Sequence, residues 1–234
     1  MSRNKTSTNR ILASLSEADL NDIVKKIERV PLDFGSVIYE PDALIDHVYF
    51  PESGIISLLS PVDKSSSLEL GLVGNEGLAG ISVYLGVGVS QHRAVVQGGG
   101  HASRMAADQF LWACEKKKGL AAAVRQYIHS FITQISRSAA CNRFHSIEQR
   151  LSRWLLMTHD RMHVDEFQIT HEFLSNMLGV RREAVSRAAG ELQGKGIIRY
   201  SRGKLTVIDR VALENTVCGC YRLIKADTVA NKVG

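Results

Sequence analysis

The stretch that decides the fold is "ITHEFLSNMLGVRREAVSRAAGELQGKGIIRYSRGKLTVID", Ile169 to Asp209. Thr170 suits an N-cap, because its hydroxyl can accept a backbone N–H at a helix start. Phe173, Leu174, Met177 and Leu178 follow at helical spacing and give one short apolar face. Gly179 can take the positive φ of a tight turn. Helical patterning resumes near Arg182 and runs to Gly194. Two short helices about a glycine turn make a helix-turn-helix. Projected at about 100° per residue, Val185, Ala188 and Leu192 fall on one side of the second helix. Arg182, Glu183, Ser186, Arg187 and Gly190 fall on the other, within an arc of ~140°. The plain alternative is a solvated face on which Glu183 and Arg187, four residues apart, pair for ~0.2–0.5 kcal/mol.

The next residues change that balance. "IIRYSRGKLTVID" alternates strand residues about a turn at Ser201–Gly203, so a β-hairpin with a basic tip is expected. A helix-turn-helix followed by such a hairpin is a winged helix. Guanidiniums on the exposed helix face can donate to guanine O6 and N7 in a major groove, and Glu183 can accept from a cytosine amine. Arg182, Glu183, Ser186 and Arg187 are therefore the candidate base-reading residues. Thr170, Arg181, Arg202 and Lys204 are the candidate backbone contacts, which position a protein without reading sequence. Ser186 and Gly190 are small enough to let the helix approach closely.

Charge supports this placement. The 234-residue chain has a formal net charge of +5. From 181 to 210, Lys/Arg at 181, 182, 187, 195, 199, 202, 204 and 210 outnumber acids at 183, 191 and 209, a local net of +5. The basic excess is thus concentrated in one place and fits a polyanion.

Upstream, about Gly119 to Asn142 carries Val124, Ile128, Phe131, Ile135 and Ala139 at steps of three and four, broadened by Tyr127 and Ile132. This resembles a coiled-coil seam, and a helix of ~24 residues is ~36 Å long. Val124, Ile128, Phe131 and Ile135 are read as a seam between two copies; the alternative is a helix packed wholly on its own domain. A second helix starts at Ser146, with Ile147, Leu151, Trp154 and Leu155 on one face.

From Asp33 to about Arg104 the texture is short β-type runs, "SVIYE", "HVYF", "GIISLLS", "SLELGLV" and "HRAVVQ", split by Gly, Pro, Asp and Ser. That pattern predicts a barrel, sandwich or jelly roll. "SEADLNDIVKKIERVPL" predicts a short amphipathic helix stopped by Pro31, and residues 1 to about 14 are expected to be frayed. The fold class is α+β. The expected domains are 1–118 (helix and β-roll), 119–145 (dimerisation helix) and 146–234 (winged helix-turn-helix).

The residues Ile169, Thr170, Leu178, Gly179, Val180, Arg182, Glu183, Val185 and Arg187 resemble the helix-turn-helix of the Crp/Fnr transcription regulators, and the order of parts matches along nearly the whole chain. The resemblance implies a cyclic-nucleotide-binding-like β-roll, a homodimer on a two-fold symmetric operator, and Arg182, Glu183 and Arg187 as base readers. RNA polymerase is a further partner it brings into view. Two departures stand out. Arg181 precedes the recognition helix where a small polar cap is usual. The cyclic-nucleotide element is degenerate: Gly80 and Arg93 match, but Ile81 replaces the ribose-binding glutamate and Ala94 the serine. Gly80 and Arg93 remain a possible anion or effector site; cyclic AMP is not expected, and the effector is unknown.

No cofactor or metal is expected. Cys218-x-Cys220 is too close for the usual CxxC spacing, and Cys114, Cys141, Cys218 and Cys220 read most simply as buried thiols, although Cys218, Cys220 and a distant histidine could hold a metal. His47, His92, His101, His129 and His145 leave haem conceivable, while the first cysteine lies too late for an N-terminal iron–sulfur cluster. No catalytic motif such as GxSxG or HExxH is found, so an enzyme is not expected. A cytoplasmic protein without membrane association is expected. The competing readings are a small-molecule-binding β-barrel or enzyme with an incidental basic tail, with Glu76 in "GLVGNEG" as its lone carboxylate, and a winged helix that docks a protein.

Overall fold

The computed structural model describes residues 7–62 and 67–230. Two compact units are present: residues 7–58 and 72–132 form most of the first, and 59–62, 67–71 and 133–227 form the second.

In chain order come α1 (Arg10–Ala13), α2 (Glu17–Val24), β1 (Ile27–Leu32), β2 (Val37–Tyr39), β3 (His47–Pro61), β4 (Ser67–Val73), α3 (Ile81–Tyr84), β5 (Arg93–Ala106) and α4 (Ala107–Lys116), all in the first unit except the end of β3 and most of β4. The strands form a sheet of order β1-β5-β3-β4, with β2 also paired to β5. Val48, Phe50, Ile55, Ile56, Leu72, Val96 and Phe110 are buried in this unit. Gly54 and Gly100 allow two backbones to touch, since a Cβ on either would lie 2.5 Å or less from a neighbouring carbonyl oxygen. Among the described residues, no helix is long and apolar enough to cross a membrane.

Three expectations for this region need correction. The polar start is not frayed throughout: residues 1–6 lie outside the described residues, but Asn9 caps α1 and donates to the carbonyls of Pro51 and Gly77, burying Ile11 and Leu12. The amphipathic helix ends at Val24, and Ile27 with Pro31 belongs to β1. Pro31 is tolerated there because β1 is an edge strand. "HVYF" and "GIISLLS" are one strand, β3, rather than two.

α5 (Lys118–Phe144) follows directly on α4. Its face does not divide as expected. Leu120, Val124, Tyr127, Phe131, Gln134, Ser138 and Cys141 are buried at alternating steps of four and three. Ile128 and Ile135 are half-buried, and Ile132 is 58% exposed. Two neighbouring heptad stripes therefore run along α5. The expected seam drew on both: Val124 and Phe131 pack within the chain and are not available to a second copy.

The second unit contains α6 (Ile147–Met162), β6 (Glu166–Gln168), α7 (His171–Leu178), α8 (Arg182–Gly194), β7 (Ile198–Ser201), β8 (Lys204–Val207), α9 (Arg210–Thr216) and α10 (Gly219–Ala230). Ser146 and Gln149 form a reciprocal capping box at the start of α6. The sheet order is β6-β8-β7. α6 is the central support. Leu151, Trp154 and Leu155 are buried, and Arg150 donates to the Leu178 carbonyl, which the end of α7 leaves unpaired.

Candidate nucleic-acid interface

The turn between α7 and α8 is built as the sequence suggests. Thr170 Oγ1 accepts from the Phe173 amide at 3.0 Å, so Thr170 caps α7. Gly179 adopts φ 60°, and its N–H and that of Val180 return to the carbonyls of Asn176 and Ser175. A side chain at 179 would be doubly opposed, because a Cβ there would lie 2.8 Å from Leu68. Arg181 offers α8 no side-chain cap, as its chemistry requires.

α8 is two-faced. Val185, Ala188, Ala189 and Leu192 are buried, and Val180 is half-buried. Arg181, Arg182, Glu183, Ser186, Arg187 and Gly190 are exposed. Glu183 and Arg187 form no ion pair with each other, so the solvated-pair alternative does not describe this face. A Cβ on Gly190 would meet nothing within 4 Å. The space above that residue is open.

Behind the face lies an arrangement that sequence patterning did not reveal. His171 stacks on Tyr200, with ring centroids 4.2 Å apart and planes 17° from parallel. Its Nδ1 lies 2.8 Å from Ser186 Oγ. Burial, and then the charge of Arg182, hold the His171 pKa below that of an ordinary imidazole. Ser186 is thus engaged by a neutral ring rather than free. The two aromatic residues are 29 positions apart in helix and strand, and no periodicity links them.

The hairpin is the expected wing. Ser201 pairs with Lys204, and Arg202 and Gly203 make the turn with φ 51° and 76°. Both values suit the two-residue turn that matches strand twist. The wing is tied to the helices: Ile169 N donates to Gly203 O at 2.8 Å, Tyr200 OH to Ile169 O at 3.0 Å, and Tyr200 N to Gln193 Oε1 at 2.7 Å.

The basic cluster is less uniform than its sequence count. Lys195 pairs with Glu148 at 2.6 Å, Lys204 with Glu166 at 2.9 Å, and Arg210 with Asp160 at 2.5 Å and Glu214 at 3.0 Å. Arg210 also meets Tyr221, so it braces α9 against α6 and α10. Among the described residues, Arg181, Arg182, Arg187, Arg199 and Arg202 make no ion pair. The unneutralised charge is therefore all guanidinium, carried by α8, the residue before it, and the wing.

The candidate effector residues sit in the first unit. Gly80 has φ 97° at the start of α3, and a Cβ there would lie 3.0 Å from Tyr39 Oη and 3.1 Å from Val48. Arg93 pairs with Glu40 at 3.2 Å, both about half exposed. Ile81 is half-buried. Glu76, the lone carboxylate of the enzyme reading, accepts from the Gly74 amide within its own turn.

Residues 149–216 match the family model of the Crp-like helix-turn-helix domain. These residues form a Crp-like helix-turn-helix domain. The fold of the chain is shared with FixK2 from Bradyrhizobium japonicum (14% identity, TM-score 0.70, covering 82% of this chain and 98% of that one). It is shared too with a Crp/Fnr-family transcriptional regulator from Thermus thermophilus (21% identity, TM-score 0.68, 81% and 97%). A third structure with this fold is that of CLP from Xanthomonas campestris, described as a c-di-GMP-responsive global regulator (13% identity, TM-score 0.68, 82% and 99%). No curated protein matches the sequence. The resemblance read from Ile169 to Arg187 is borne out, as is an N-terminal β-sheet domain followed by a helix-turn-helix.

Proposed function

We propose that this Crp/Fnr-type chain is a sequence-specific DNA-binding transcription regulator that acts as a homodimer without cyclic AMP. The observation that carries the reading is the division of α8: Val185, Ala188 and Leu192 are buried, while Arg182, Glu183 and Arg187 stand exposed and unpaired. α8 enters the major groove; Arg182 and Arg187 donate to guanine edges and Glu183 accepts from a cytosine amine. Thr170, Arg181 and Arg202 contact phosphates. Lys204 can join them only by leaving Glu166, so its contribution is smaller. Ser186 acts chiefly through His171, setting the surface of α8.

The dimer forms along the outer stripe of α5, Ile128, Ile132, Ile135 and Ala139, whose steps of four, three and four are those of a coiled-coil seam. Two copies then place their α8 helices on half-sites about one helical turn apart, ~34–36 Å. Cyclic AMP independence is supported by Ile81, which has no acceptor for a ribose hydroxyl. An anion reaching Arg93 must displace Glu40. The protein works in the cytoplasm, with RNA polymerase as a further partner, and catalyses no reaction.

Selection of bound sequences from a random duplex pool, with and without cyclic AMP, tests the proposal. The expected result is one two-fold symmetric site, unchanged by the nucleotide. Asymmetric or sequence-indifferent recovery would contradict it, and strong cyclic AMP enhancement would overturn the reading of Ile81.

A further inference from the structure

A group of side chains unrelated to α8 converges elsewhere in the second unit. Cys141 lies in the last turn of α5, His145 just beyond it, Cys218 between α9 and α10, and Cys220 in the first turn of α10. Cys141 and Cys218 Sγ are 3.5 Å apart, and Cys220 Sγ is 3.7 Å from His145 Nδ1. The ligating atoms of all four residues lie within 4.8 Å of one another. The thiols are buried and the imidazole is half-buried.

We propose that Cys141, His145, Cys218 and Cys220 form a closed tetrahedral site for zinc. Zinc–sulfur bonds of ~2.3 Å and zinc–nitrogen bonds of ~2.0–2.1 Å make a tetrahedron with edges of ~3.8 Å between sulfurs and ~3.5 Å from sulfur to nitrogen. The two separations above already approximate those edges. Ligands so close leave room for one ion and not for a cluster of irons. A soft donor set of three sulfurs and one nitrogen suits zinc rather than magnesium or calcium. A Cys141–Cys218 disulfide would need the sulfurs to close to ~2.05 Å and would leave Cys220 and His145 unexplained.

Charge supplies an independent reason. Three thiolates and one imidazole around Zn²⁺ carry a net charge of −1. Arg150 and Arg153 are buried close enough to Cys141 to feel its charge. Among the described residues neither has a carboxylate partner, and the Nε of each is buried without a hydrogen bond. A buried cation without a counter-charge is costly. A negative metal centre provides that counter-charge. Cys218 and Cys220 also sit at the N-terminus of a twelve-residue helix, which favours thiolates.

Sequence spacing makes the site possible. Cys141 and His145 are four apart, one turn along a helical face, and the His145 amide still donates to the Cys141 carbonyl at 3.1 Å. The ion would staple the end of α5 to the α9–α10 junction, both within the second unit. With all four positions filled by protein, the role is structural, and binding free energy becomes folding free energy. Metal binding at these four residues is independent of DNA binding by α8.

The test is metal content and ligation in the full chain. Protein isolated without chelator should carry about one zinc per chain. Cobalt substitution should give the intense visible bands of tetrahedral thiolate ligation. Cys218→Ser should lower bound zinc to under about a tenth of the wild-type value, as expected when a tetrahedral site loses a ligand. Cys114→Ser, which alters the isolated buried thiol of the first unit, should change neither readout. If Cys218→Ser fails to fold, the wild-type chain still decides. A strong chelator should lower its melting temperature and raise alkylation of Cys141, Cys218 and Cys220 together. Zinc-free protein whose melting and alkylation ignore added zinc and chelator, or isolation with an intact Cys141–Cys218 disulfide, would overturn the proposal.

Discussion

Arg187→Ala and Arg202→Ala, made separately, distinguish reading bases from holding the backbone. Both side chains are exposed and neither makes an ion pair, so each loss should change folding stability by less than ~0.5 kcal/mol. Any larger effect on DNA binding then belongs to the interface. A bidentate arginine–guanine contact is worth ~1–3 kcal/mol, or about 5- to 150-fold in affinity per half-site. Arg187→Ala should therefore collapse the ratio of operator to scrambled-duplex affinity and relax preference at one base pair in each half. Arg202→Ala should weaken both duplexes alike and lower the salt slope by ~1 per half-site. Fluorescence anisotropy between about 50 and 200 mM salt reads both quantities. Equal losses on the two duplexes for Arg187→Ala, or no loss at all, would refute the assignment of α8 as the reading element.

Gly190 tests close approach. Helix-interior glycine costs ~1 kcal/mol relative to a good helix former, and the space above it is open, so Gly190→Leu should raise the melting temperature yet lower operator affinity at least about tenfold. Tighter binding by that variant would place α8 farther from DNA than proposed. Ile132→Glu, on the exposed stripe of α5, should yield monomers by sedimentation at micromolar concentration; an unchanged mass would move the dimer contact elsewhere. His171 should titrate below ~6.5 by NMR. A depressed imidazole pKa means that the unfolded chain takes up more protons, so His171 should lower stability as pH falls from ~6.5 toward its folded value. His171→Phe, which keeps the stack, should flatten that part of the pH profile. A His171 titration at or above the ordinary imidazole value would contradict its burial.

The second unit was legible because its signals are local. Thr170, Gly179 and the Arg202–Gly203 turn each act through their own backbone, and the faces of α8 follow from its period. The dimer stripe was only half legible. Residues one position apart in the heptad share an apolar character, and only packing shows that Val124 and Phe131 turn inward while Ile132 turns out. Pro31 misled because its meaning depends on whether a strand lies at a sheet edge. The basic count hid the pairings of Lys195, Lys204 and Arg210, whose acidic partners lie 4 to 50 residues away. The Cys141–His145–Cys218–Cys220 group spans a wider gap, 77 residues from Cys141 to Cys218, and no spacing rule connects its halves.

The central claim is that the exposed side of α8 lies in a DNA groove. A crystal structure of the chain on its selected operator tests this most directly. The account predicts Arg182 and Arg187 guanidiniums within hydrogen-bond reach of guanine O6 and N7 in two half-sites, with Val185 still buried. Should α8 face solvent or protein in that complex while another surface holds the duplex, the account is wrong.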